Sequence, residues 1–222
     1  MTAGFSDRAG QPESGDGASR RGPTGGRSDR VDPRFELVEE VPAYRGVRYA
    51  MHLVREKLPN GKIAERDVVR HPGASVVIPI LDDGRVLLVE QHRTALGENL
   101  IEIPAGVLEG DEDPSLAAAR ELEEETGYRA RKIERLLDFH PSAGFCDEIM
   151  HIFVATGLEP TQQNLDADEF ITVHVRTFEE VRQLVRDGEL TDGKTIAAFL
   201  YLLAFRADLF DRGSGRDGST SK

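Results

Sequence analysis

Tryptophan is absent from this chain of 222 residues, and cysteine occurs once, as Cys146. A lone cysteine rules out an intrachain disulfide and fits a reducing compartment such as the cytoplasm. His140 lies near it in sequence, but no third group is evident to orient a thiol–imidazole pair as a nucleophile. Without tryptophan, no indole can stack on a ligand ring, which leaves Tyr44, Tyr49 and Phe145 for that role. No apolar run approaches the ~18 residues of a membrane span, and the N-terminal residues lack the apolar core of a signal peptide. Positive charge is scarce as well: 28 Lys and Arg stand against 40 Asp and Glu, a formal charge of −12. That balance argues against general nucleic-acid binding, which needs a basic face, and against adhesion to anionic membranes. An acidic protein that handles phosphates needs local arginines and metal ions at its site. The six histidines (His52, His71, His92, His140, His151 and His174) are scattered without metal-finger spacing.

The chain length suits one domain, or one domain with a small appended sheet. Residues 1–33 are dominated by Gly, Ser, Arg, Asp and Pro, with five Arg against five acids. They read as a disordered tail rather than a basic arm, and 212–222 read the same way. Strands are expected at 35–38, 47–57 and 63–69, with Pro59-Asn60-Gly61-Lys62 as a hairpin turn. Further strands are expected at 74–81, 86–91, 100–104, 132–139, 149–155 and 170–175, and helices at 178–186 and 194–209. Strands and helices mix without regular βαβ units. This favours an α+β fold or a three-layer sandwich over a doubly wound sheet.

The informative stretch runs from Gly106 to Tyr128, GVLEGDEDPSLAAARELEEETGY. Its pattern is G-x5-E-x7-R-E-U-x-E-E-x-G-U, where U is a bulky apolar residue. Asp113 before Pro114 reads as an N-cap with proline at the first helical position. Residues 114–126 are good helix formers, and Gly127 sits where a left-handed cap favours glycine. At ~100° per residue, Glu121, Glu124 and Glu125 fall within one arc of about 100°. Ala118, Ala119 and Leu122 are expected on the other side, facing a core. An acidic helix face is ordinarily just solvated. Here three carboxylates share an arc beside Arg120, at the end of a glycine-bounded loop and an extended apolar run. Carboxylates so placed raise one another's pKa, and a divalent cation removes that cost. Their hard oxygens suit Mg2+ or Mn2+.

The pattern resembles the Nudix box, the signature of enzymes that hydrolyse a nucleoside diphosphate linked to another group. All seven fixed residues are met, with Tyr128 at the final apolar place. Beyond the box, Glu90-Gln91-His92-Arg93, Glu102-Ile103-Pro104-Ala105-Gly106, Ser142 through Glu148, and Asp168-Glu169-Phe170-Ile171 resemble the ADP-ribose pyrophosphatase branch. The resemblance implies an α/β/α sandwich with a mixed sheet, at residues 73–211. It also implies an N-terminal antiparallel sheet, at 34–72, exchanged between the subunits of a homodimer.

The resemblance makes Glu121, Glu124 and Glu125 metal ligands for Mg2+, with Mn2+ as a substitute. The Ala105 carbonyl would complete the set, and Glu112 and Arg120 would tie the loop to the helix. Arg93 matches an arginine that contacts phosphate or ribose, and its planar fork suits that role. Arg66 matches an arginine delivered between subunits, Glu148 a carboxylate on the terminal sugar, and Gly144 a backbone position near the substrate. For the acid that binds metal or activates water, Glu169 aligns best, with Asp166 and Asp168 in reserve; Glu121 is the other candidate base. Two departures bear on substrate choice: Ala143 stands where the branch usually has proline, and adenine has no indole to stack on. The implied reaction is hydrolysis of ADP-ribose or a related nucleoside diphosphate sugar. A UDP- or GDP-sugar diphosphatase, a silent ADP-ribose-sensing module and a pure interaction protein are the alternatives.

Overall fold

The apolar run at 74–81 sets the layering. In the computed structural model, which describes residues 31–209, it forms a strand buried along its whole length. Successive side chains of a strand point to opposite faces, and here both faces are covered. Val76 and Ile78 enter one apolar cluster and Val77 enters another. The expected tail at 1–33 lies outside the described residues except for its last three positions, and that at 212–222 lies outside them entirely.

Among the described residues, ten strands and three α-helices follow in chain order. Strands β1 (Glu36–Arg45), β2 (Ala50–Lys57) and β3 (Ile63–Arg70) form an antiparallel meander ahead of the core. Next come β4 (Ala74–Pro79), β5 (Val86–Arg93), β6 (Glu98–Glu102), β7 (Ala105–Val107) and helix α1 (Pro114–Thr126). Then come β8 (Tyr128–Phe139), β9 (Met150–Pro160), β10 (Ile171–Arg176), α2 (Phe178–Asp187) and α3 (Gly193–Phe205). The central sheet has the order β7-β4-β9-β8. It is mixed, because β4 and β9 run parallel while the outer pairs are antiparallel. A second sheet has the order β10-β5-β6.

Helix α1 covers one face of the central sheet, where Ala118 and Leu122 meet Val77, Phe153 and Ala155. The other face packs Val76, Ile78, Ile152 and Val154 against Val181 of α2 and Ala198, Phe199 and Leu202 of α3. The result is an α+β protein with a mixed sheet between helices and a separate N-terminal antiparallel sheet. Among the described residues, no helix is long and apolar enough to cross a membrane.

Three local expectations need correction. The short strand β7 and its pairing with β4 were not foreseen; three residues carry too little periodicity to announce a strand. The helix expected to reach 209 stops at Phe205, because Arg206 leaves helical geometry, and a 3-10 turn then carries Leu209 into the core. On α1, Ala117 rather than Ala119 is buried, together with Ala118, Glu121, Leu122 and Glu125. These positions span about 140° of the helix at ~100° per residue. The acids therefore lie within the buried arc, between Ala117 and Ala118, instead of opposite it.

Leu122 is fully buried between α1 and the sheet. Replacing Leu122 with Ala should cost about 2–5 kcal/mol of stability, as other buried leucines do on truncation. Urea denaturation of the variant beside the parent chain measures this.

Candidate active site

Helix α1 is fixed at both ends by its own sequence. The Asp113 carboxylate accepts the Ser115 N–H at 2.8 Å, Pro114 opens the helix, and Gly127 closes it in the left-handed region at φ 70°. Leading into it, β7 pairs with β4 through Ala105 and Val76, which holds Ala105 and Gly106 against the helix. The Ala105 N–H donates to Glu125 Oε2 at 3.3 Å. The contact shown between Ala105 and the acids is thus made by its N–H. At Gly106 the approach is closer still. A Cβ built there would lie 1.8 Å from Glu121 Oε1, so only glycine leaves room for that carboxylate.

Arg120 does more than tie the loop. Its guanidinium grips Glu112 with two bonds, Nε to Oε1 at 3.2 Å and Nη2 to Oε2 at 3.1 Å. Its Nη1 donates to Glu121 at 2.7 Å and to Glu124 at 3.0 Å. Burial pushes the Glu121 carboxyl above its usual range, and the nearby Arg120 charge only partly offsets this. Glu125, at 2% exposure, is pushed well above the carboxylate range, first by burial and then by the charges of Glu121 and Glu169. These are carboxylates for which negative charge is unfavourable without a cation. As they stand, no three His, Cys, Asp or Glu side chains among the described residues are close enough to hold a metal. The donor set itself fits a hard divalent cation: carboxylate oxygens, two of them on buried residues, beside a single arginine already shared among three acids.

Glu169, on a distant loop, lies within electrostatic range of the acids. Its charge acts on both Glu121 and Glu125. The loop from 161 to 170 is fastened to the end of α1 by bonds that the sequence did not reveal. Thr161 N–H donates to the Gly127 carbonyl at 2.7 Å, Asn164 N–H to the Glu124 carbonyl at 3.0 Å, and the Gln163 side-chain amide to the Glu125 carbonyl at 2.6 Å. A helix leaves its last carbonyls without internal partners, and this loop supplies donors. Asp166 N–H in turn donates to Glu169 Oε2 at 3.2 Å.

Arg93 ends β5 and is held by Glu102, with Nε to Oε1 at 2.6 Å and Nη2 to Oε2 at 2.5 Å. Lys194 of α3 bonds the same Glu102 oxygen. Arg93 lies within electrostatic reach of Glu125.

The other expected contacts lie toward the N-terminal sheet. The loop carrying Gly144 is docked on β3: Val69 N–H donates to the Phe145 carbonyl at 2.7 Å, and Arg70 Nη1 bonds Asp147 at 3.0 Å. A cavity of about 290 Å³ there is lined by Val68, Arg70, His140, Gly144, Cys146 and Asp147 among others. Glu148 lies 3.8 Å from the ring of His71, which stacks on Tyr49. Arg66 is exposed on β3, and its guanidinium donates to the Glu65 carbonyl; among the described residues, no bond brings it to the acids. A wider cavity of about 800 Å³, bordered by Tyr44, Val47, Tyr49, Met51, Val69 and Thr94, also lies along this sheet rather than over the acids.

Replacing Gly106 with Ala should drive the Glu121 carboxylate from its place while leaving the fold intact, since the clash falls on the free end of a side chain. Catalytic activity should drop by about tenfold or more, in line with misplacement of a reacting group. Circular dichroism melting should show a midpoint near the parent value. An unchanged rate would mean that Glu121 is not held where it is needed.

A family model described as NUDIX domain matches residues 69–199. A Bacillus subtilis protein named ADP-ribose pyrophosphatase is 45% identical over 148 residues, which are 66% of this chain and 80% of its own. A Mycobacterium tuberculosis protein of the same name is 34% identical over 171 residues, 75% of this chain and 82% of its own. Among solved structures, one titled as an ADP compounds hydrolase superposes with a TM-score of 0.69 over 82% of this chain and 96% of its own. At 18% identity that likeness concerns the fold alone.

Proposed function

The chain belongs to the Nudix family, and from that premise we propose that it hydrolyses the diphosphate of ADP-ribose, or of a closely related nucleoside diphosphate sugar. The products are a nucleoside monophosphate and a sugar phosphate. The observation that carries this reading is the pair of buried carboxylates, Glu121 and Glu125, packed on Gly106 and Ala105, with the charge of Glu169 felt from a separate loop. The two ADP-ribose pyrophosphatases among the relatives support the substrate class.

The family uses divalent metal, and Mg2+ is the proposed ion, with Mn2+ as a substitute. Glu121, Glu124, Glu125, the Ala105 carbonyl and Glu169 would hold such an ion, which when bound would neutralise diphosphate charge and acidify water. Arg120 keeps Glu121 and Glu124 oriented. Arg93 meets a phosphate or ribose oxygen, Gly144 and Glu148 border the terminal sugar, and Glu169 accepts the proton of the attacking water. Water adds to one phosphorus, and the bridging oxygen leaves with the other phosphate. Positioning and charge compensation carry most of the acceleration in such a transfer.

Residues 34–72 are proposed as a dimerisation sheet and 73–211 as the hydrolase domain, in a cytoplasmic enzyme. The sheet leaves Leu37, Val38, Tyr44, Tyr49 and Ile63 exposed. Contiguous bare apolar side chains mark an interaction surface, and a second copy is the occupant proposed here. In that dimer Arg66 enters the site of the other subunit. Light scattering should give the mass of two chains of 24.5 kDa; a monomer at micromolar concentration would overturn the exchanged-sheet reading.

Replacing Glu125 with Gln removes a ligand worth several kcal/mol of charge stabilisation, so turnover should fall by about 100-fold or more. The melting temperature should hold or rise, because burial already disfavours the charged form. Assays with Mg2+ and ADP-ribose, UDP- and GDP-sugars, dinucleotides and NADH test the substrate. ADP-ribose should be cut fastest, to AMP and ribose 5-phosphate. A GDP- or UDP-sugar preference would move the assignment within the family, and uniform inactivity would favour a sensing module.

A further inference from the structure

We propose that Glu102 and Lys194 are positioning residues for Arg93: they occupy its side-on edge and reserve its remaining N–H groups for the substrate diphosphate or ribose. The proposal rests on the reading of Arg93 as a substrate-contacting residue. It extends that reading to residues outside the box and names which edge of the guanidinium works.

A guanidinium has five N–H donors. Glu102 accepts one from Nε and one from Nη2, in the parallel, bidentate arrangement. Nη1 makes no hydrogen bond among the described residues. A substrate oxygen therefore meets Arg93 end-on, through Nη1 and the outer hydrogen of Nη2.

Glu102 is held as firmly as it holds. It is 1% exposed, and Lys194, at 8%, bonds its Oε2 from beneath. Lys194 also lies 3.1 Å from Asp192, the cap of α3. That cap accepts the Thr195 N–H at 3.0 Å, and Thr195 Oγ1 accepts the N–H of Ile103, the neighbour of Glu102, at 2.9 Å. The end of β6 and the start of α3 are thus stitched together under one arginine. Two cations, Arg93 and Lys194, are balanced by two anions, Glu102 and Asp192. Stability alone does not call for this arrangement, since well-packed apolar groups of similar volume replace buried ion pairs at little or no cost. What the network adds is a fixed orientation for a long side chain that still has a free edge. Its rotamer freedom is lost on folding rather than on binding, which favours affinity.

The test uses the full chain and the nucleoside diphosphate sugar that it turns over fastest, with kcat, KM and melting temperature read together. R93A and E102Q should each raise KM by about tenfold or more while kcat changes by less than about threefold. E102D, which keeps the charge but shortens the reach, should recover part of the loss. K194M should shift KM in the same direction by a smaller factor. The double variant R93A/E102Q should be no worse than R93A, because both changes remove one interaction. E102Q leaves two cations facing each other in a buried place. Should it fail to fold, E102Q/K194M removes one charge of each sign and carries the same test. A parental KM in these Glu102 variants, or effects that multiply in the double variant, would overturn the positioning role. In that outcome, a raised KM in R93A leaves the substrate reading of Arg93 standing. A parental KM in R93A sinks that reading and the proposal together, and a chain that turns over none of the panel sinks the hydrolase reading itself.

Discussion

Two carboxylates, Glu121 and Glu125, leave water when this chain folds, and much of the surrounding structure compensates for them. They lie within the buried arc of α1 rather than facing away from it, so the packing that stabilises the helix also buries the acids. Burial is the largest cause that raises the pKa of both, and neighbouring carboxylates add to it. The neighbourhood is built accordingly. Gly106 withdraws every side-chain atom from Glu121, Ala105 turns its N–H to Glu125, and Arg120 spreads one positive charge over Glu112, Glu121 and Glu124. A site that holds negative charge at a cost in its resting form is suited to bind a cation and then a polyanion.

What could be read from the sequence follows from how far apart the interacting residues are. The N-cap at Asp113, the proline after it, the left-handed Gly127 and the one-sided spacing of the acids are set within a few residues. They appear as expected, with the helix ends in place. The pairing of Arg120 with Glu112 spans eight residues and was expected from the family resemblance. The tie between Gln163 and the helix spans 38 residues, and that between Lys194 and Glu102 spans 92. Neither leaves a periodic trace. Glutamine in a loop and lysine at a helix start are ordinary until the fold supplies their partners. Glu169 was singled out only because a family resemblance reached that far; the acidic loop gives no internal reason to prefer it over Asp166 or Asp168.

The N-terminal sheet poses a different constraint. Its strands pair along their lengths, with two register shifts between β1 and β2, yet side chains such as Leu37, Val38 and Tyr44 remain bare. The same sheet grips the loop at 142–147 through Val69, Arg70 and His71. Gly144 and Glu148 therefore depend for their position on an element that has little core of its own. Sequence periodicity identified the strands, but side-chain period alone does not tell which bare face awaits a partner and which faces solvent.

The acidic excess of the chain and the positive features of its site are compatible because the charge is balanced locally. Arg120 and Arg93 each engage carboxylates through charge-assisted bonds, and neither stands as a free cation. Such pairing keeps a guanidinium oriented and limits its attraction for polyanions that lack the right shape. An isolated arginine in the same place would draw any phosphate; one with its side-on edge committed admits an oxygen only from the remaining direction. On the proposed reading of Arg93 and the acids, recognition would depend on a divalent ion and a correctly placed diphosphate together. That would let a protein with a net charge of −12 accept a doubly charged substrate without becoming a general binder of phosphates.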